Sequence, residues 1–396
     1  MDAFTTPLPK DWQKVRLGDI SKPCMCKRVM KHQTTPYGEI PFYKIGTFGN
    51  TADAFISKKL FLEYKAKYSF PKKGDILISA SGTIGRAVIY DGKPAYFQDS
   101  NIVWIDNDET LVKNDFLFYA YSNIKWNTEY TTILRLYNDN FRNTLIPLPP
   151  LNEQIAIANI LSDVDRYLYS LDALILKKES VKKSLSFELL SQRKRLKGFN
   201  QAWQKVRLGD IAEIKRGASP RPIENPKWFC TNSNVGWVRI SDISKNSRFL
   251  YKTAQKLSKK GIEKSRFIKQ NSLIMSMCAT IGKPIITKID TCIHDGFVVF
   301  ENPKIDLNYL YYFLCYIEKE WLESGQQGSQ VNLNVDLIKN KEVFCPKDLN
   351  EQIAIANILS GLDHEIISLK NKKRQFENIK KALNHDLMSA KIRVLK

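Results

Sequence analysis

The chain holds few groups suited to acid–base work. Its four histidines are His32, His294, His364 and His385, and none recurs at a place the chain repeats. A general base must sit within hydrogen-bond reach of its proton, so scattered histidines give acid–base catalysis weak support. His294-Asp295 aligns near Gln98-Asp99, and that unmatched histidine argues against a duplicated active site. Gly92-Lys93 and Gly282-Lys283 are each followed by proline and lack the upstream glycine of a phosphate-binding GxxxxGK loop. No GxGxxG follows a strand pattern, and no HExxH, GxSxG or NPPF-like methyltransferase tetrapeptide occurs. SGTIG (81–85) suggests a phosphate-cradling turn, but its counterpart CATIG (278–282) has Ala279 at the first glycine. A tight structural turn is the better reading. Cys24, Cys26 and His32 lack a CxxC spacing and a fourth ligand, so no metal site is expected. Seven cysteines, scattered and odd in number, suit reduced thiols.

Another chemistry that these residue types could do is base readout. It needs Arg or Lys for guanine and Asn or Gln for adenine, on loops that reach a groove. The polar stretches before each closing strand offer Arg135, Asn138, Asn140 and Arg142, then Gln326, Gln327, Ser329, Gln330 and Asn332. Earlier loops add Lys27, Arg28 and Lys31, then Lys215, Arg216 and Arg221, with Arg239 beyond them. Each also fits a phosphate contact or plain surface. The 61 basic against 41 acidic residues, a net charge of +20, favour a polyanionic partner. Nucleic acid comes first, an anionic membrane second, and a lysine-rich proteome bias is the bland alternative. No run of 18 apolar residues occurs, and MDAFTTPLPKDW has no signal-peptide core, so a soluble, cytoplasmic protein with no membrane partner is expected.

These residues lie in a duplicated frame. LNEQIAIANILS occurs at 151–162 and 349–360, and WQKVRLGDI at 12–20 and 203–211. Repetition of this kind signals repeated architecture. GDILISASGTIG (74–85) aligns with NSLIMSMCATIG (271–282), a strand running into a glycine turn, and FQDSNIVWI (97–105) aligns loosely with CIHDGFVVF (292–300), another strand. Aromatic-rich helical patterns follow, then a polar loop and a short strand. PLPP (147–150) and Pro346 end the blocks, with Asn152 and Asn350 as N-caps of the next helices. Stepping 4 and 3 gives a seam: Ile157, Leu161, Val164, Leu168, Leu171, Ile175, Lys178, Lys182, Leu185 and Leu189. The second copy reads Ile355, Leu359, Leu362, Ile366, Leu369, Lys373, Phe376, Lys380, Leu383 and Leu387. Such spacing over about five heptads is a coiled-coil seam, against the alternative of an amphipathic helix on its own domain. Two like seams pair naturally, and roughly 45 residues at ~1.5 Å each span about 67 Å. The basic clusters Lys177, Lys178, Lys182 and Lys183, then Arg193, Lys194, Arg195 and Lys197, read as a solvated face.

The expected fold is α+β: two mixed α/β blocks separated by two long helices in an antiparallel coiled coil, with pseudo-twofold internal duplication. Block one is 1–150, helix one 151–199, block two 200–348 and helix two 349–396. WQKVRLGDI, the GDILIS…GTIG strand-turn and PLPPLNEQIAIANIL resemble the specificity subunit of type I restriction–modification systems over nearly the whole chain. The second opener departs, reading CPKDLNEQ. The resemblance implies that each block is a target recognition domain reading one half of a bipartite site in double-stranded DNA. The paired helices would set the spacing and dock two modification subunits, with restriction–motor subunits joining them. It also implies no catalytic residue and no cofactor on this chain, with S-adenosylmethionine, ATP and Mg on the partners. A coiled-coil adaptor, or a standalone methyltransferase or nuclease, is the alternative.

Overall fold

Each block opens and closes on one antiparallel strand pair. Gln13–Arg16 pairs with Leu145–Leu148, Val15 opposite Ile146. Gln204–Arg207 pairs with Glu342–Cys345, Val206 opposite Val343. The pair brings both ends of a block to the root of the long helix that follows. The computed structural model describes residues 8–20, 22–126, 129–130, 134–324 and 333–394. By compactness the chain divides into two units, 1–173 with 371–396, and 174–370.

In the first unit an antiparallel sheet runs Pro23–Cys24, Ile102–Ile105, Ile76–Ser79, Ala87–Ile89. A second sheet runs Phe55–Ile56, Ile40–Tyr43, Tyr96–Phe97, the last pair parallel. The second unit repeats the plan. Glu213–Arg216, Phe297–Glu301, Leu273–Ser276, Pro284–Thr287 and Phe249–Leu250 form one sheet. Gln255–Lys256, Gly236–Val238, Thr291–Ile293 and Arg266–Ile268 form the other. Ile76–Ser79 and Leu273–Ser276 are buried at every position. That explains their unalternating apolar runs, since both faces are covered. The aromatic helices Asn114–Tyr121 and Leu307–Tyr316 pack their buried faces into these cores.

Four local expectations change. FQDSNIVWI and CIHDGFVVF are each two strands in different sheets, broken at a turn. Ser100 takes φ +58° in the first turn, and Phe297 N donates to His294 O at 3.0 Å in the second. The closing loops contain the helices Asn138–Arg142 and Val335–Asn340. Buried Phe141 and Ile338 hold them against the LGDI turn. There a Cβ on Gly18 would lie 3.0 Å from Arg142 Cβ, and one on Gly209 3.1 Å from Lys339 Cβ. The long helices Leu151–Leu190 and Leu349–Met388 have 40 residues each, or about 60 Å. Gln192 and Ala390, at φ +63° and +55°, turn the chain just past their ends. Asn152 and Asn350 lie inside the first turn rather than at the cap. Pro150 O accepts from Glu153 N and Gln154 N at 2.9 Å each, and Asp348 Oδ1 accepts from Asn350 N at 2.8 Å.

The repeated words meet in space. In the first unit Trp12 Nε1 donates to Glu153 at 3.0 Å, and Arg393 reaches the same carboxylate at 2.7 Å. In the second unit Trp203 Nε1 donates to Glu351 at 3.2 Å, and Arg195 grips it through two oxygens. Glu153 and Glu351 are buried, so the cation compensates each charge. Gln154 and Gln352 tie the helices to the preceding loops, accepting from Lys113 N and Asp306 N at 2.8 Å.

Along the helices, Ile157, Leu161, Leu171, Ile175, Leu189, Ile355, Leu359, Ile366 and Leu387 are buried. Val164, Leu168, Leu185, Leu362, Leu369, Phe376 and Leu383 are half-buried. The four seam lysines meet carboxylates of the other helix. In the first unit Lys380 pairs with Asp165 at 2.5 Å and Lys373 with Asp172 at 2.7 Å. In the second, Lys182 pairs with Asp363 at 2.5 Å and Lys178 with Glu365 at 2.7 Å. As one partner's number rises the other's falls, so the chain directions are opposed. Arg195, Lys178 and Lys182 are thus committed to ion pairs, unlike a freely solvated basic face.

Candidate nucleic-acid interface

The turn that separates the two sheets is where polar side chains collect. In the second block Asp295 is its centre. Ser219 Oγ donates to Asp295 Oδ1 at 2.8 Å, Arg221 to Oδ2 at 2.9 Å, and Arg216 Nε to the Asp295 carbonyl at 2.7 Å. Burial pushes the Asp295 carboxyl up, but the hydrogen bond from Ser219 and the charge of Arg221 outweigh it, and its pKa falls below the usual value. His294 Nδ1 accepts from Gly296 N at 2.9 Å, and the ring lies 4.5 Å from Phe297 and 5.9 Å from Trp237. Burial holds the imidazole pKa below its ordinary value against the pull of Asp295. The neutral ring, with Nδ1 accepting, carries its proton on Nε2. Ser219, Arg221, Trp237, Arg239, His294 and Asp295 line an open cleft of about 390 Å³.

The first block builds the same place from other residues. Strand pairing sets Phe97 opposite Tyr43 and Ile293 opposite Val238. Gln98 therefore stands where His294 stands, Asp99 where Asp295 stands, and Lys44 where Arg239 stands. Arg28 Nε approaches Asp99 at 3.9 Å, as Arg221 approaches Asp295. Gln98 Oε1 accepts from Ile45 N at 3.0 Å, and Lys44 pairs with Asp53 at 2.8 Å. Both turns thus combine an aspartate, an arginine and a second cation on equivalent scaffold, with a different polar residue at the turn's first position.

The candidates read from the sequence divide accordingly. Arg28, Arg216, Arg221 and Arg239 are brought to these turns. Arg135 comes close to the first, since Ser81 bridges to it and donates its hydroxyl to Asn101 Oδ1 at 2.7 Å. Lys27 lies near the first block's aromatic surface, Nζ 5.0 Å from the centre of the Tyr68 ring, and Lys31 is exposed in a single 3₁₀ turn. Asn138, Asn140 and Arg142 belong to the short helix against the LGDI turn. Lys215 is ion-paired with Glu213 at 2.9 Å and Glu301 at 2.6 Å. Gln326, Gln327, Ser329, Gln330 and Asn332 lie outside the described residues. Sequence reasoning missed Lys44, Gln98 and Asp99. The alignment of His294-Asp295 with Gln98-Asp99 is the signal in the sequence that marks this place.

The SGTIG turn behaves as structure. Ser79 Oγ and Ser276 Oγ donate to Thr83 O and Thr280 O inside their turns. Gly85 and Gly282, at φ +82° and +77°, lie under the indoles of Trp126 and Trp321, where a Cβ would collide. Burial pushes the Cys26 thiol up to about 12, which keeps it protonated. Among the described residues no helix is long and apolar enough to cross a membrane.

The family model for the type I restriction modification DNA specificity domain matches twice, over residues 9–179 and 200–378. A protein named as a type I restriction enzyme specificity subunit of Haemophilus influenzae is 63% identical over 148 residues, 37% of this chain and 38% of that relative. The MjaVIII specificity subunit of Methanocaldococcus jannaschii is 27% identical across 98% of this chain and 94% of that relative. A crystal structure of the S subunit of a type I restriction–modification system from M. genitalium is similar in fold, with TM-score 0.61 at 18% identity, covering 97% of this chain and 98% of that one.

Proposed function

Because the chain belongs to the family of type I restriction–modification DNA specificity domains, we propose that each block reads one half of a bipartite DNA site. The chain is a specificity component rather than the catalyst of its system. The observation that carries the reading is the pair of equivalent clusters, Arg28, Lys44, Gln98 and Asp99 against Arg221, Arg239, His294 and Asp295, built on one scaffold with different side chains. A common frame with altered readers suits two different half-sites. Arginine beside an aspartate on a cleft can donate in the fork geometry that guanine O6 and N7 accept, and a carboxylate can accept from cytosine N4. The +20 charge supplies the sequence-independent attraction for phosphates.

The long helices act as an antiparallel coiled coil. Their ion-paired seam fixes the register, and their length sets the spacing between half-sites. Their outer faces dock two modification subunits, and restriction–motor subunits join through those. S-adenosylmethionine, ATP and Mg belong to the partners. The test is adenine-methylation mapping by single-molecule sequencing in cells carrying the system, with wild type against Arg239→Lys/His294→Gln. The variant should alter the base preference of one half-site and leave the other half and the spacing unchanged. An unaltered site, or loss of both halves together with a folded and assembled subunit, would refute the assignment.

A further inference from the structure

The two blocks differ at one sheet edge. In the second block Pro284–Thr287 is covered by Phe249–Leu250, which runs parallel to it. Ile286 N donates to Arg248 O at 2.9 Å and Lys288 N to Leu250 O at 2.8 Å. Leu250 is fully buried among Val238, Ile243, Ile274, Ile285 and Ile293. The first block's equivalent edge is Ala87–Ile89, with Ile89 opposite Ile76 as Ile286 is opposite Leu273. Among the described residues that strand pairs with Ile76–Ser79 alone, and Ile89 is 42% exposed.

The missing cover has a cause in chain length. Phe48 follows Lys44 by four residues, as Ile243 follows Arg239, and takes its place in the core. Strand register makes Ala54 the equivalent of Gln255. Five residues separate Phe48 from Ala54, while eleven separate Ile243 from Gln255. The six residues the first block lacks are enough for the covering strand. Where Leu250 would lie there is a cleft of about 410 Å³, lined in part by Tyr43, Phe48, Leu77, Val88, Ile89 and Phe97.

Charge gives a second mark. Arg248, two residues before Leu250, is buried and donates to Tyr312 at 2.9 Å, Ser360 at 2.7 Å and Asn308 at 2.5 Å. The duplication puts Tyr119, Ser162 and Asp115 at those places in the first unit. Asp115 is an exposed carboxylate; the nearby Lys113 pairs with Glu109 at 3.8 Å instead. An arginine arriving there would meet a charged acceptor where Arg248 meets a neutral amide.

We propose that the edge Ala87–Ile89 and its cleft receive an extended segment of a partner polypeptide. The segment adds as a parallel strand, sets an aliphatic side chain in the cleft and places an arginine two residues earlier against Asp115. Main-chain pairing supplies affinity and the two side chains supply selectivity. The exposed edge is then a recognition element, unlike the charged or covered edges by which proteins avoid pairing.

The probe is a labelled peptide of the sequence SRFLYK, taken from residues 247–252, titrated into the full chain and read by fluorescence anisotropy. Saturable binding is expected below roughly 1 mM. Ile89→Pro removes the edge N–H and should weaken it about tenfold. Asp115→Lys should weaken it similarly, and the same variant should recover binding to SEFLYK. Three results would overturn the proposal: no saturable binding, equal affinity for wild type and both variants, or a cleft that takes N-acetyl-leucine amide as tightly as the peptide.

Discussion

Asp363→Ala probes the joint between the second block and the long helices. Asp363 Oδ2 accepts from the Tyr312 hydroxyl at 2.7 Å, and Oδ1 meets Lys182 Nζ at 2.5 Å. Lys182 also lies 5.8 Å from the centre of the Tyr312 ring. The carboxylate side chain is 17% exposed and the lysine 31%. An exposed pair is worth about 0–1 kcal/mol, whereas breaking a fully buried one costs about 3–5. This pair lies between, and the tyrosine hydrogen bond to a charged acceptor adds to it, so the loss should be about 2–3 kcal/mol. For a unit of this size that lowers Tm by about 4–12 °C. Scanning calorimetry with a double-mutant cycle against Lys182→Met is the assay. The coupling should exceed ~1 kcal/mol, and Lys182→Met/Asp363→Leu should recover most of the loss, since apolar replacement of both partners removes the stranded charge. The duplicated pair Lys380–Asp165, with Tyr119 donating at 2.8 Å, is more exposed at its carboxylate (35%) and should show a smaller loss. Coupling within ~0.5 kcal/mol of zero at both pairs would refute the view that they join block to helix.

Arg195→Ala strands the buried Glu351 and should cost about 3–5 kcal/mol, largely recovered by adding Glu351→Gln, as urea unfolding would read. Gly85→Ala and Gly282→Ala combine a positive φ with an indole in the way, so each should destabilise its unit by at least ~2 kcal/mol in thermal melts, against a neutral Gly46→Ala, whose Cβ meets nothing. His294 has a folded pKa below its ordinary 6.5. As pH falls through 6.5 the unfolded chain takes up the proton first, so stability present above that value is lost toward lower pH. Wild type should therefore lose more Tm between about pH 7.5 and 5 than His294→Gln, and equal slopes would contradict the burial of a neutral ring.

What the sequence discloses here depends on whether the physics is local or relational. Repetition exposes the blocks, the helix openers and the 4,3 spacing, because each is written in consecutive residues. Trp12, Glu153 and Arg393 are far apart in the chain, and only folding brings them together; the repeat marks Trp and Glu as special without naming Arg. FQDSNIVWI reads as one strand because its residues favour extended backbone, while the switch between sheets is set by partners distant in sequence. The seam lysines look like faults in an apolar stripe until Asp165, Asp172, Asp363 and Glu365 face them.

Those lysines bear on how the duplication diverged. Two-residue ion pairs on a seam fix register more sharply than apolar contacts, which tolerate sliding. Lys182–Asp363 and Lys380–Asp165 repeat each other, and so do their tyrosines, Tyr312 and Tyr119. The Lys–Asp–Tyr joint that ties each block to the helices is therefore constant across the two copies, whereas Arg248, which donates to Ser360, ties the second block alone. Change falls instead on the turn, where Gln98 and Lys44 replace His294 and Arg239, and on the short loop after Phe48. A change at the turn leaves the ion pairs intact, so new side chains can be tried there without loosening the frame. The reverse does not hold: losing Asp165 or Asp363 strands a lysine and a tyrosine at once. Blocks built this way should accept exchange between related chains at the junctions beside the WQKVRLGDI and LNEQIAIANILS words, because the repeated Trp–Glu–Arg and Lys–Asp–Tyr contacts are remade on either side of the cut.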